Sequence, residues 1–135
     1  MKKLFLDTNI LLDVLQKREP HYQSSSQLLS QIVRGKHKGY ASVLTFSNIY
    51  YTLCRDMSSK EAIRNIQKIS TFVEMLTVTA EMGKKALSSE ISDYEDALQY
   101  LCAKTNKADY IVTRNKKDFI KSETEVASPQ ELLNI

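Results

Sequence analysis

Short apolar runs alternate with amphipathic stretches along this chain. Leu4, Phe5 and Leu6 form an unbroken apolar run, as in a strand buried on both faces. Behind it, Ile10, Leu11, Val14 and Leu15 recur at helical spacing, and Asp7 or Thr8 stands where a helix cap belongs. A second helix is predicted from about Tyr22 to Arg34, with Leu28, Leu29, Ile32 and Val33 inward and Gly35 as its stop. Tyr40-Ala41-Ser42 reads as a second strand. Phe46, Ile49, Tyr50, Leu53 and Cys54 then repeat with the period of an amphipathic helix. Ser58 with Glu61 spells a capping box before a helix that buries Ala62, Ile66, Ile69 and Val73. Met75 to Val78 is a third strand, and a short helix covers about Ala80 to Ser88. Ser92 with Glu95 makes another capping box, opening a helix that buries Tyr94, Ala97, Leu98 and Leu101. Tyr110 to Thr113 is a fourth strand and Val126-Ala127 a fifth. Ser128-Pro129 with Glu131 opens a last helix, with Pro in its first turn.

Strands that alternate with helices imply an α/β fold, with helices on both faces of a mostly parallel five-stranded sheet. The length, 135 residues, suits one domain, and a 42% hydrophobic share is enough for a core. Only 3 Gly and 2 Pro occur, so helix content should be high and loops short. No apolar run approaches the roughly 18 residues of a membrane span, and no cleavage site follows the first residues. A cytoplasmic protein without membrane contact is the expectation. Cys54 and Cys102 show no metal-binding spacing and read as free buried thiols. The net charge of +3 permits a nucleic-acid partner without demanding one.

The chemistry collects at strand ends. In parallel sheets, ligands bind beyond the carboxyl ends of the strands. Asp7 sits at the end of the first strand. Asp93 and Asp96 lie in the first turn of a helix, three residues apart and on one side of it. "VTRNKKDF" places Thr113, Asn115 and Asp118 just after the fourth strand. Gathered carboxylates repel one another unless a positive charge neutralises them, and hard oxygen ligands suit Mg²⁺ or Mn²⁺. Such an ion lets water attack a phosphodiester without a protein nucleophile. His21 and His37 fall in predicted loops, so Ser-His-Asp and Cys-His chemistry has little support. No glycine-rich phosphate loop is present.

Four blocks, "LFLDTNILLDVL", "ASVLTFSNIYYTL", "SDYEDALQYLCA" and "YIVTRNKKDF", resemble, in order and spacing, the motif blocks of the PIN domain. The resemblance covers nearly the whole chain. It implies a metal-dependent ribonuclease on an α/β/α sandwich. Many small members are VapC-type toxins of toxin–antitoxin pairs, which implies an RNA substrate, a cognate antitoxin and a homodimer. Carried over by position, Asp7, Asp96 and Asp118 are the catalytic metal-ligand acids and Asp93 a helper. Asn9 would help hold Asp7, and Thr113 and Asn115 would line the site. Arg114, Lys116 and Lys117 would meet the RNA backbone.

One position departs from the pattern. The family usually places a Glu on the helix after the second strand; here Asn48 stands there, on a polar stripe with Thr45 and Thr52. An amide oxygen can ligate a cation but brings no charge. The alternative is therefore a catalytically weakened PIN-like module that binds RNA or a protein partner. The opening block also resembles the haloacid dehalogenase motif, but Asn9 replaces the second Asp which that chemistry requires.

Overall fold

The computed structural model describes residues 1–135. Five strands form one sheet: β1 (Lys2–Leu6), β2 (His37–Ser42), β3 (Val73–Leu76), β4 (Tyr110–Val112) and β5 (Glu125–Ala127). Their order is β3-β2-β1-β4-β5, and every neighbouring pair is parallel. The expected mostly parallel sheet is thus wholly parallel. Strand β1 lies at its centre, with Phe5 opposite Tyr40 on one side and Ile111 on the other.

The helices are α1 (Thr8–Leu15), α2 (Tyr22–Val33), α3 (Val43–Leu53), α4 (Ser59–Ser70), α5 (Ala80–Ala86), α6 (Tyr94–Thr105) and α7 (Pro129–Leu132). A 3₁₀ turn spans Lys116–Phe119. Side chains alternate across a strand, so Leu4 and Leu6 face one core and Phe5 the other. The first core joins them to Ile10, Leu28, Phe46, Ile49, Ile69 and Leu132 from α1, α2, α3, α4 and α7. The second joins Phe5 and Ile111 to Met82, Ala97, Leu98, Cys102 and Phe119. The result is the three-layer α/β/α arrangement.

After β1 the chain adds β2 and β3 on one side of β1, then β4 and β5 on the other. The order reverses at β1, so a crevice opens above the carboxyl ends of β1 and β4. Asp7 and Thr113 follow those two strands directly.

Local signals account for most boundaries. Asp7, Ser42, Ser58, Thr79, Asp93 and Ser128 each cap the helix that follows. Gly35 takes a φ of 84°, the left-handed geometry that ends α2. The Ser128–Glu131 capping box forms in full, and Glu131 also takes Lys116 at 2.9 Å, which together hold its carboxyl down at about 2.

Several expectations give way. Asp93, not Ser92, caps α6, because its carboxylate accepts the Asp96 N–H at 2.9 Å; this frees Glu95 from a capping role. Tyr94 is exposed, and its hydroxyl donates to the Gly83 carbonyl. Val73 opens β3 rather than closing α4, so the third strand begins earlier than Met75. His37 is no loop residue: it begins β2 and is buried, where desolvation lowers its pKa. His21 stands at the start of α2. Both cysteines are free, but only Cys102 is fully buried.

Candidate active site

Asp7 is fixed at three points. Its backbone N–H donates to the Val112 carbonyl at 3.0 Å, continuing the β1–β4 ladder. Its Oδ1 accepts the Thr8 N–H at 2.8 Å, and its Oδ2 accepts the Thr113 hydroxyl at 2.9 Å. Thr113 is fully buried, and its oxygen accepts the Asn115 N–H at 3.1 Å. One hydroxyl therefore ties the β4 turn to the β1 acid. Burial raises the Asp7 pKa; the Thr113 and Thr8 bonds oppose that, the Asp118 charge adds to it, and Arg114 offsets it further.

Asp7, Asp93, Glu95, Asp96 and Asp118 line one cleft of about 390 Å³, together with Asn9, Asn48 and Asn115. Three separate segments, the ends of β1 and β4 and the start of α6, deliver these acids to one place. Their proximity shows in Asp96, whose carboxyl is pushed up to about 7, first by burial and then by the charges of Asp93, Asp7, Asp118 and Glu95. Glu95 is also raised, by burial first and then by Asp93 and Asp7, while an Asn48 bond opposes the rise. The cleft thus gathers five carboxyl groups, with Arg18 and Arg55 on its wall.

A divalent cation fits this donor set. No three acidic, His or Cys side chains converge tightly enough to form a ready-made cage. Mg²⁺ keeps several waters and takes only one or two carboxylates directly, so acids ringed around an open cleft suit a hydrated ion. Asp7, Asp96 and Asp118 would hold it, with Asp93, which also caps α6, beside them.

A buried polar layer supports the acids from below. The Ser42 hydroxyl donates to Gln99 Oε1 at 2.8 Å, and Gln99 Nε2 donates to Thr45 Oγ1 at 2.9 Å. Thr45 Oγ1 lies 3.2 Å from Thr8 Oγ1, beside Asp7. Ser42, Thr45 and Gln99 are all buried, so β2, α3, α6 and the start of α1 are locked together by satisfied bonds. The polar stripe of α3 accordingly turns inward at Thr45 and reaches the cleft at Asn48 and Thr52.

Sequence reasoning missed Asp13. It sits within the apolar stripe of α1 and is fully buried. Arg114 Nε approaches its Oδ2 at 3.1 Å and Arg18 Nη1 its Oδ1 at 3.8 Å. Burial raises the Asp13 pKa, and the charges of Arg114, His21 and Arg18 pull it back. An acid inside an apolar helical stripe was the available signal. Its effect is to anchor α1 to the β4 turn next to Thr113.

The remaining expected residues divide. Asn9 does not bond Asp7: its Oδ1 accepts from Arg18 at 3.2 Å. Asn48 Nδ2 donates to Glu95 Oε1 at 2.7 Å. Arg114 is turned inward to Asp13, and Lys116 is paired with Glu131. Lys117 lies on an adjoining cleft with Asp93, Asp96 and Asp118. The basic side chains in the main cleft are instead Arg18 and Arg55, which sequence spacing gave no reason to choose.

Known proteins share this fold. Residues 3–117 match the PIN domain family. Ribonuclease VapC1 of Aquifex aeolicus is 25% identical over 135 residues, covering 96% of this chain and 92% of the relative. Among solved structures, VapBC2 from Rickettsia felis bound to a promoter DNA fragment superposes with a TM-score of 0.69 at 17% identity, covering 93% of this chain and 98% of that one. Mycobacterium tuberculosis VapC20, described as a sarcin–ricin loop cleaving toxin, superposes at 0.64 with 16% identity, covering 80% and 86% of the two chains. The fold, the order of the motif blocks and the match across most of the chain agree: this chain belongs to the PIN domain family.

Proposed function

We propose that this chain is a metal-dependent endoribonuclease that hydrolyses RNA phosphodiesters, acting as the toxin of a type II toxin–antitoxin pair. The observation that carries the proposal is the meeting of Asp7, Asp96 and Asp118 in one cleft, where their mutual repulsion calls for a cation. The similarity to a ribonuclease VapC and to VapBC complexes supports the toxin part and a cognate antitoxin as partner; a homodimer is part of the same proposal.

A Mg²⁺ or Mn²⁺ ion bound in the cleft would withdraw charge from a phosphoryl oxygen and acidify the attacking water. The chain's own residues do the positioning. Thr8 and Thr113 hold both Asp7 oxygens as acceptors, which fixes the carboxylate plane. Asn115 is held by Thr113 and follows the same turn. Arg18 and Arg55 on the cleft wall, with Lys117 on the adjoining rim, are placed to meet backbone phosphates. No helix is long and apolar enough to cross a membrane.

The test is cleavage of a structured RNA pool with Mn²⁺, with Mg²⁺ and with chelator, beside Asp7→Asn and Asp96→Asn. Metal-dependent cuts that both substitutions abolish are expected. Wild-type cleavage by both variants would refute the proposal. Asn48 favours a second reading, a PIN module with weakened catalysis that binds RNA or a protein partner. Its mark is RNA binding without divalent ion and without strand scission.

A further inference from the structure

Helix α3 borders the cleft but brings no carboxylate to it; it contributes the amide of Asn48 and the hydroxyl of Thr52. That amide is not idle. Its Nδ2 donates to Glu95 Oε1 at 2.7 Å, across the gap between α3 and the first turn of α6. The bond is short and directed at a charged acceptor, the stronger class of hydrogen bond. Glu95 has no capping duty, since Asp93 caps α6. Its carboxyl is therefore held against the α3 wall of the cleft by one oxygen, and Oε2 has no protein partner.

We infer that Glu95 is a working acid of the cation site and that Asn48 is its positioning residue. On this geometry the α3 wall carries negative charge after all, delivered from α6 and anchored by the amide. The inference rests on the cation-dependent reading of the cleft. It differs from the loss of charge that Asn48 implies when α3 is read alone. A carboxylate on a three-bond side chain in an open cleft would otherwise sample many rotamers; one bond of this kind restricts it to those facing Asp7 and Asp96.

The effect is measurable as cation affinity. In an open, water-filled cleft, one charge acting on a divalent ion from about 6 Å corresponds to about a tenfold change in affinity. The experiment is Mn²⁺ titration of the full chain, followed by the loss of the free-ion electron paramagnetic resonance signal. The proteins are wild type, Asp7→Asn, Glu95→Gln, Asn48→Ala and the exchanged pair Asn48→Glu/Glu95→Gln. Glu95 is exposed and Asn48 only half-buried, so the variants should fold; melting curves in chelator check this. Glu95→Gln is expected to weaken Mn²⁺ binding about tenfold and Asn48→Ala about threefold. The exchanged pair should bind within about threefold of wild type, because the charge has only moved across the bond. Glu95→Gln binding like wild type, while Asp7→Asn loses the ion, would overturn the role of Glu95 and leave the site itself intact. Wild type and Asp7→Asn binding Mn²⁺ equally weakly would overturn the cation reading beneath it.

Discussion

Thr113→Val tests the site at its most constrained point. The substitution keeps the shape of a fully buried side chain and removes one hydroxyl. Two bonds go with it: the 2.9 Å donation to Asp7 Oδ2 and the 3.1 Å acceptance from the Asn115 N–H. A hydrogen bond to a charged group is worth about 1.5–3 kcal/mol. Without it the Asp7 carboxylate can turn from the plane that Thr8 and Thr113 set, and holding it for a cation then costs that bond's free energy, so Mn²⁺ affinity should fall about tenfold. The β4 turn should loosen as well, because the Asn115 N–H loses its acceptor. Stability should respond differently. Burial already disfavours the Asp7 charge, so the variant should lose only about 1–2 kcal/mol. The assays are Mn²⁺ titration and chemical denaturation in chelator, with Thr113→Ser as the control that keeps the hydroxyl. Thr113→Val binding Mn²⁺ like Thr113→Ser would refute the claim that this hydroxyl holds Asp7 ready.

Other outcomes follow from the same geometry. Asp96 is raised from an ordinary carboxyl value of 3.8 to about 7, so the folded protein holds a proton that the unfolded chain has released; wild-type stability in chelator should fall as pH rises through this window. The melting-temperature advantage of Asp96→Asn over wild type should therefore grow between about pH 4 and 7 and then level off; a pH-independent difference would count against it. Asp13→Ala should destabilise by about 3 kcal/mol in urea, at the low end for a broken buried pair, because Arg18 and Arg114 can turn partly to water. A change below about 0.5 kcal/mol would mean that Asp13 is not an anchor. Gln99→Leu removes the 2.8 Å acceptor of Ser42 and the 2.9 Å donor to Thr45, leaving them the longer hydroxyl contacts with each other and with Thr8; a loss of about 2 kcal/mol is expected by denaturation, and unchanged stability would show that the polar layer is not structural.

The sequence by itself determined the layers. Alternation of apolar runs with helical stripes fixed a sheet between helices, because strands buried on both faces must be apolar throughout and covering helices need only one apolar face. It also brought Asp7, Asp96 and Asp118 into view, since polar residues just past a parallel strand or at a helix start face the crevice. Two further matters depended on non-local packing, which local spacing does not encode. The first is partnership. Asn9 and Arg114 stand where they could serve Asp7 or RNA, but the buried Asp13 attracts Arg114, and Arg18 engages Asn9. The second is the charge of the cleft. Along the chain, Asn48 is an acid missing from α3; in space, its amide meets Glu95 from a helix 47 positions away. Which groups satisfy one another is decided when α1, α3, α6 and the β4 turn close over one crevice. A buried charge or amide must then take the nearest complementary group, whatever its distance along the chain.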